Sequence, residues 1–231
     1  MYRYVLSLFF LLTASCAIAQ TSTLLAPDQV PGGGAINIAV SKSDEEDGDN
    51  YFAEAEKNEK KGEFNEALTL FGKAAFEYNN AREFVAYGSA LLRLSNIHLI
   101  MEHYSEAEQV VLNVALKNYS RIGNRKGQMD SYNQLGKIYF AANKLTQSLW
   151  FYTQQGMLAR QLNNNPSYID SMLGIALVKV KKKEYKLASK DIVKAELFAR
   201  SVKVNQFNAQ IKSTKNLISE KVNSKEIRRI K

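Results

Sequence analysis

Few side chains in this 231-residue chain could do chemistry, and they do not converge. The two histidines, His98 and His103, stand five apart, which does not put them on one helix face as metal ligands at i, i+4 would be. Carboxylates gather at Glu102/Glu106 and from Asp44 to Asp47. These fall in loop-like sequence without the apolar pocket that would move a carboxyl pKa for acid–base work. Gly32-Gly33-Gly34 is not followed by Gly-Lys-Ser/Thr leading into a helix, so it is no phosphate loop. Neither a nucleophile elbow nor a histidine-flanked nucleophile occurs. No catalytic or metal-ligating residue is therefore assigned, no cofactor is expected, and the chain reads as a non-enzyme.

The one cysteine, Cys16, belongs to the leader. Tyr2-Arg3-Tyr4 is a short basic start, Val5 to Thr13 is apolar, and Ala17-Ile18-Ala19 precedes Gln20 as a cleavage site. Residues 1–19 read as a secretory signal, because a membrane-crossing helix wants about 20 apolar residues. Leu12-Thr13-Ala14-Ser15-Cys16 also resembles a bacterial lipoprotein box, with Thr13 where an aliphatic residue is usual. Cys16 is thus a candidate lipidation site. The expectation is an exported product, periplasmic or secreted, or else one anchored through Cys16. Cleavage after Ala19 leaves no cysteine, so neither disulfides nor thiolate zinc would hold the fold. Residues 20–48, with Pro27, Pro31, the glycine triplet and an acidic run from Ser43 to Asn50, read as a disordered linker.

The elements after that linker repeat. Phe64-x-x-Ala67, Tyr104-x-x-Ala107, Leu145-x-x-Ser148 and Tyr185-x-x-Ala188 follow one another at steps of 40, 41 and 40 residues. Such a period marks a solenoid, whose units cannot bury their own apolar faces and stack on one another. Behind these starts come Phe71 and Ala74, Val111 and Val114, Tyr152 and Gln155, and Ile192 and Ala195. The spacing keeps a single stripe on one helix face. Thirteen residues ahead of each start stand Tyr51, Leu91, Tyr132 and Met172, on the preceding helix. Large residues there are followed by small ones, as in Leu94-Ser95, Leu135-Gly136 and Ile175-Ala176, and His98 falls where Tyr139 stands one unit later. Two helices pack at 8–10 Å when a small side chain admits a ridge from its neighbour. Ser95, Gly136 and Ala176, with Ala67, Ala107 and Ala188 opposite, are read as those points, and Leu135 and Tyr139 as core.

Charge is polarised. Residues 20–63 carry 4 basic and 10 acidic side chains, residues 64–164 carry 10 and 7, and residues 165–231 carry 16 and 6. A basic end usually points to nucleic acid. Export argues against that partner and leaves acidic glycan, anionic lipid or an acidic protein surface, beside a plain solvated lysine face.

Tyr132-x-x-Leu135-Gly136-x-x-Tyr139 followed by aromatic-x-x-Ala resembles the tetratricopeptide repeat (TPR), in its longer variety of about 40 residues. Glu54 and Asn58 in the first unit, and Ser148 and Gln155 in the third, depart from its pattern. The resemblance implies an all-α, right-handed α-solenoid of four helix-turn-helix units, 49–81, 82–123, 124–164 and 165–203. A capping helix (204–222) and a basic tail (223–231) would follow. It also implies that the first helix of each unit lines a concave groove for a protein or an extended peptide. The inward residues would be Arg93, Asn96, Asp130, Asn133, Lys137, Phe140, Asp170 and Lys181. Among these, Asn96 and Asn133 suit main-chain amides and Arg93 and Lys137 suit carboxylates. The function expected is a binding scaffold or adaptor of the bacterial envelope. The alternatives are an envelope-associating protein whose basic C-terminal third meets anionic lipid or glycan, and an exported sensor-like module.

Overall fold

The computed structural model describes residues 45–230, with side chains over 47–222. The leader, Cys16 and most of the linker lie outside the described residues. Within them the backbone is helical throughout, without a strand. The helices are α1 (Glu45–Lys61), α2 (Phe64–Asn80), α3 (Phe84–Ile100), α4, α5 (Arg125–Ala141), α6 (Leu145–Gln161), α7 (Asn165–Lys181), α8 (Tyr185–Ser201) and α9 (Asn208–Ile230). The rod α4 is α-helical over Tyr104–Gln109, π-helical over Val110–Ala115 and α-helical again over Leu116–Arg121. Each helix packs on the one before and the one after, which makes the chain an α-solenoid of antiparallel hairpins. The odd helices α1, α3, α5 and α7 are the first members of the pairs (A), and the even ones are the second (B).

One turn design joins them all. A left-handed residue follows each helix, at Gly62, Arg82, Glu102, Gly123, Asn143, Asn163, Lys183 and Lys203, with φ from 54° to 81°. The next N–H then reaches back five residues into the helix, as from Glu83 to the Tyr78 carbonyl at 2.8 Å and from Lys144 to that of Tyr139 at 2.8 Å. This Schellman closure satisfies carbonyls that a helix end leaves open. Asn124 and Asn164 cap the helices that follow, their side-chain oxygens accepting from the N–H of Gly127 at 2.8 Å and of Ser167 at 3.0 Å. Pro166 sits in the first turn of α7, where its missing N–H costs nothing. Asn79 and Asn80 close α2, and the turn is Ala81 to Glu83.

The hairpins meet at small residues. Ala55, Ser95 and Ala176 on A helices, and Ala67, Ala107, Ser148 and Ala188 on B helices, have no exposed surface, and Gly136 is buried with them. Where serine replaces alanine its hydroxyl finds the facing backbone: Ser95 donates to the Ala107 carbonyl at 3.0 Å and Ser148 to that of Gly136 at 2.8 Å. Tyrosines of the B helices seat in notches cut by glycine. A β-carbon on Gly136 or on Gly174 would come within 2.7 Å of the Tyr152 ring, and one on Gly88 or Gly127 within 2.4 Å of Tyr119. The core therefore runs along the stack as successive clusters, from Ala55, Phe71 and Ile97 to Leu173, Ile192 and Ile218.

Two boundaries and two packing positions differ from the sequence reading. First, helix α1 begins at Glu45, inside the stretch assigned to linker. Its acidic first turns suit the positive helix N-terminus, and Asp49 accepts a 2.6 Å hydrogen bond from the hydroxyl of buried Tyr78. Second, the apolar contact of α1 is made by Tyr51, Phe52 and Ala55, which leaves Glu54 exposed and buries Asn58. At the other end α9 runs to Ile230, so helical backbone covers most of the stretch read as a tail. In α4 the slot read as Val114 is taken by fully buried Ala115, with Val114 only partly covered, because the π turn moves the later residues by one place.

Gly136→Leu forces a branched side chain against Tyr152. The expected loss is about 2 kcal/mol, in the range for overpacking a close contact, read as a lower urea midpoint with helix content retained below the transition.

Candidate functional site

Alternate A helices touch directly, α3 with α5 and α5 with α7, whereas successive B helices make no comparable contact. A stack drawn closer on one side curves toward that side, so the A helices line its inner surface. The helices α3, α5 and α7 are buried over most of their circumference and leave a single open stripe, whereas α1, the first described helix, is exposed also at Ala53, Glu54, Lys57 and Lys60.

On α1 this stripe carries Phe52, Glu56 and Glu59, and on α3 it carries Val85, Leu92, Asn96, Leu99 and Ile100. On α5 it carries Lys126, Asp130, Asn133, Lys137 and Phe140, and on α7 Asp170, Leu177, Val180 and Lys181. The α3 section is the most apolar: Val85 is 55% and Ile100 46% exposed. Sequence reasoning missed Val85, Leu92, Leu99, Ile100, Leu177 and Val180 because it sought polar recognition groups. The available signal was that α3 is apolar around more of its circumference than burial requires.

The residues expected to contact a ligand mostly hold the stack together. The Arg93 guanidinium is ion-paired with Glu59, lies 3.2 Å from Glu56, and sits over the Phe71 ring, tying α3 to α1 and α2. Asn96 adds a 3.2 Å hydrogen bond to Glu59. Lys181 donates to the Phe140 carbonyl at 2.9 Å and lies over its ring at 4.7 Å, joining α7 to α5. Asp170 accepts from Gln155 of α6 at 3.0 Å, and Asp130 pairs with Lys126 at 2.8 Å. Lys137 is exposed and makes no ion pair or hydrogen bond among the described residues.

Asn133 is the exception in kind. Phe52, Leu92 and Leu173 fill its slot in the other units, and its side-chain oxygen is buried without a hydrogen-bond partner. A lone buried amide oxygen costs on the order of 1–3 kcal/mol. Beside it, Lys137 and Phe140 give the stripe a cation and a ring one helical turn apart. That combination fits a carboxylate and an apolar side chain of a peptide.

The histidines come together, with ring centroids 5.9 Å apart. Burial first, then the neighbouring His103, holds His98 below its usual range, against an opposing pull from Glu106. Among the described residues no three His, Cys, Asp or Glu side chains gather as a metal site. Tyr139 is pushed up to about 12 by burial and by its hydrogen bond to Glu108, which Lys144 also contacts at 3.3 Å. His98 and Tyr139 thus belong to the packing, while His103 is exposed at the hairpin turn.

No protein-family model matches the sequence, and no curated protein matches it. Among solved structures the chain is similar to BtubC (BKLC) from P. vanneervenii, with TM-score 0.63 and 13% identity over 72% of this chain and 68% of that one. It is similar also to the apo form of RapI, with TM-score 0.67 and 11% identity over 83% of this chain and 73% of that one. The fold is a helical-repeat solenoid. At these identities the likeness extends to architecture alone.

Two outcomes follow from the site. Asn133→Leu is expected to raise stability by about 1 kcal/mol in urea melts, by removing the unpaired oxygen. His98 favours its neutral form in the folded state, while the unfolded chain takes up a proton near the ordinary 6.5. Its contribution is therefore complete above that pH and declines as pH falls from there toward the lowered folded value. His98→Phe should show a smaller drop in melting temperature than the parent between about pH 7.5 and about pH 5.

Proposed function

We propose that this chain is a non-enzymatic scaffold or adaptor of the bacterial cell envelope, which binds a protein or an extended peptide along the inner face of a TPR-like stack. The observation that carries this reading is the character of the A-helix face. An apolar section on α3 and α7 brackets the exposed, unpaired Lys137 of α5. An inner face with apolar anchors, a few aimed polar groups and charge at its rim has the composition of a recognition surface. The solenoid architecture supports the same reading, since stacked repeats create extended concave surfaces of this kind. Export, with removal of residues 1–19 or anchoring at Cys16, rests on the leader sequence. Mass spectrometry of the mature N-terminus distinguishes a chain starting at Gln20 from a lipidated Cys16.

A photo-crosslinking residue in place of Ile100 is expected to join the chain to one discrete protein or peptide in its native envelope. The same residue in place of Phe76, exposed on the outer side of α2, should not. Ile100→Glu, tested with the crosslinker at Lys137, should abolish the product. Equal crosslinking from Phe76 and Ile100 would overturn the assignment of the inner face.

A further inference from the structure

We propose that the outward face of α8 is a docking surface for the anionic phospholipid headgroups of a bilayer. Lys186, Lys190 and Lys194 stand at i, i+4, i+8 on the side opposite buried Ala188, Ile192, Ala195 and Ala199. All three are exposed, and none makes an ion pair or hydrogen bond among the described residues. The acids that could neutralise them are already engaged. Glu184 pairs with Lys182 at 3.0 Å, Asp191 with Lys179, and Glu196 with Arg200 at 2.7 Å and Lys215 at 3.0 Å. Like charges one helical turn apart repel, and an anionic surface relieves that repulsion.

The repeat supplies its own control. At the places of the three lysines α2 carries Asn65, Thr69 and Lys73, and α6 carries Thr146, Trp150 and Gln154. The fold does not require cations there, and α8 alone has all three.

Apolar side chains are interleaved with the lysines. Leu197 is 60% exposed, Leu187 48% and Val193 41%, and Val193 and Leu197 lie one turn apart beside the ladder. A protein interface core is depleted in lysine, whereas a helix lying at a bilayer surface sets lysines among phosphates and inserts leucine and valine between acyl chains. No helix among the described residues is long and apolar enough to cross a membrane, so the contact is one of adsorption.

The test is flotation of the full chain with phosphatidylcholine vesicles, with or without about 30% phosphatidylglycerol, at low salt. The apolar leader would carry the chain to both vesicles alike, so the difference between them is the readout. Binding should favour the anionic vesicles and fade as salt is raised. K186Q/K190Q/K194Q should weaken that preference about 100-fold. V193Q/L197Q should weaken binding with its salt dependence unchanged. All five residues are exposed, and helix content by circular dichroism checks that the variants fold. The proposal is overturned if the triple variant keeps the preference, or if both vesicles bind the parent equally. It is also overturned if the chain ignores vesicles but binds dextran sulfate independently of Val193 and Leu197, which would assign the ladder to an acidic polymer.

Discussion

The structure depends on how closely two helices can approach. In each hairpin the two small residues that meet, Ala55 and Ala67, Ser95 and Ala107, Gly136 and Ser148, Ala176 and Ala188, lie 12 positions apart across the turn. A bulky side chain at any of them would hold the rods apart by more than the 8–10 Å of close packing, and the stripes beyond would lose contact. The fixed separation means that turn and contact determine each other. The left-handed turn residue places the second helix so that its small residue falls on that of the first. The contact in turn holds Glu102 and Lys183 in a backbone region that costs a residue with a β-carbon roughly 1–2 kcal/mol. Serine is tolerated at these points only because the approach is close enough for its hydroxyl to reach the opposite carbonyl.

The same constraint explains the π turn. The second unit is one residue longer than its neighbours, and α4 has to absorb the extra residue between two fixed points: Ala107 against Ser95, and Tyr119 between Gly88 and Gly127. Continued as regular α-helix, α4 would turn Tyr119 by about 100° away from its notch. The π segment takes up the surplus, and Tyr119 then holds the place of Tyr78 in α2, each carbonyl accepting the closing hydrogen bond of its turn. A wider helical turn is the local cost; the seating of a large aromatic ring against two neighbouring helices offsets it.

The repeat itself was legible because stacking writes a period into the sequence. Aromatic-x-x-Ala and the large-small pairs are the outward sign of the close contacts, and they suffice for an all-helical solenoid. The 41-residue step was visible too, but not its consequence, since spacing alone does not show which side of Val111 absorbs the insertion. The start of α1 was hidden because an acidic, glycine-bearing segment looks like linker until Tyr78 is seen resting on Gly48 and bonded to Asp49. At the inner face, helical angle could place Asn96, Asn133 and Lys181 on one side. It could not show that Glu59 holds Arg93 and Asn96, or that Phe140 receives Lys181, because those partners lie 34 to 41 residues away. Nor does a sequence show that the oxygen of Asn133 is buried without a partner.

Charge divides the molecule into faces of different character. Along the inner side, arginine and lysine are matched to partners on the next A helix, as Arg93 is to Glu56 and Glu59. Those pairs are partly shielded, so they resist salt better than exposed ones, and they fix the spacing of repeats. Their charge is thereby withdrawn from any ligand, and the inner face is left to select by shape, by apolar contact and by the few groups still unmatched, Lys137 among them. The outward side of α8 is the reverse case. Its lysines carry their full charge into solvent, where attraction is long-ranged at low salt and unselective. Short-range selection on one side and long-range attraction on the other act on different helices, so a change at Lys190 need not disturb α3, and a change at Ile100 need not disturb α8. A solenoid permits this separation because each unit touches only its neighbours, leaving the character of each exposed stripe free to vary from one repeat to the next.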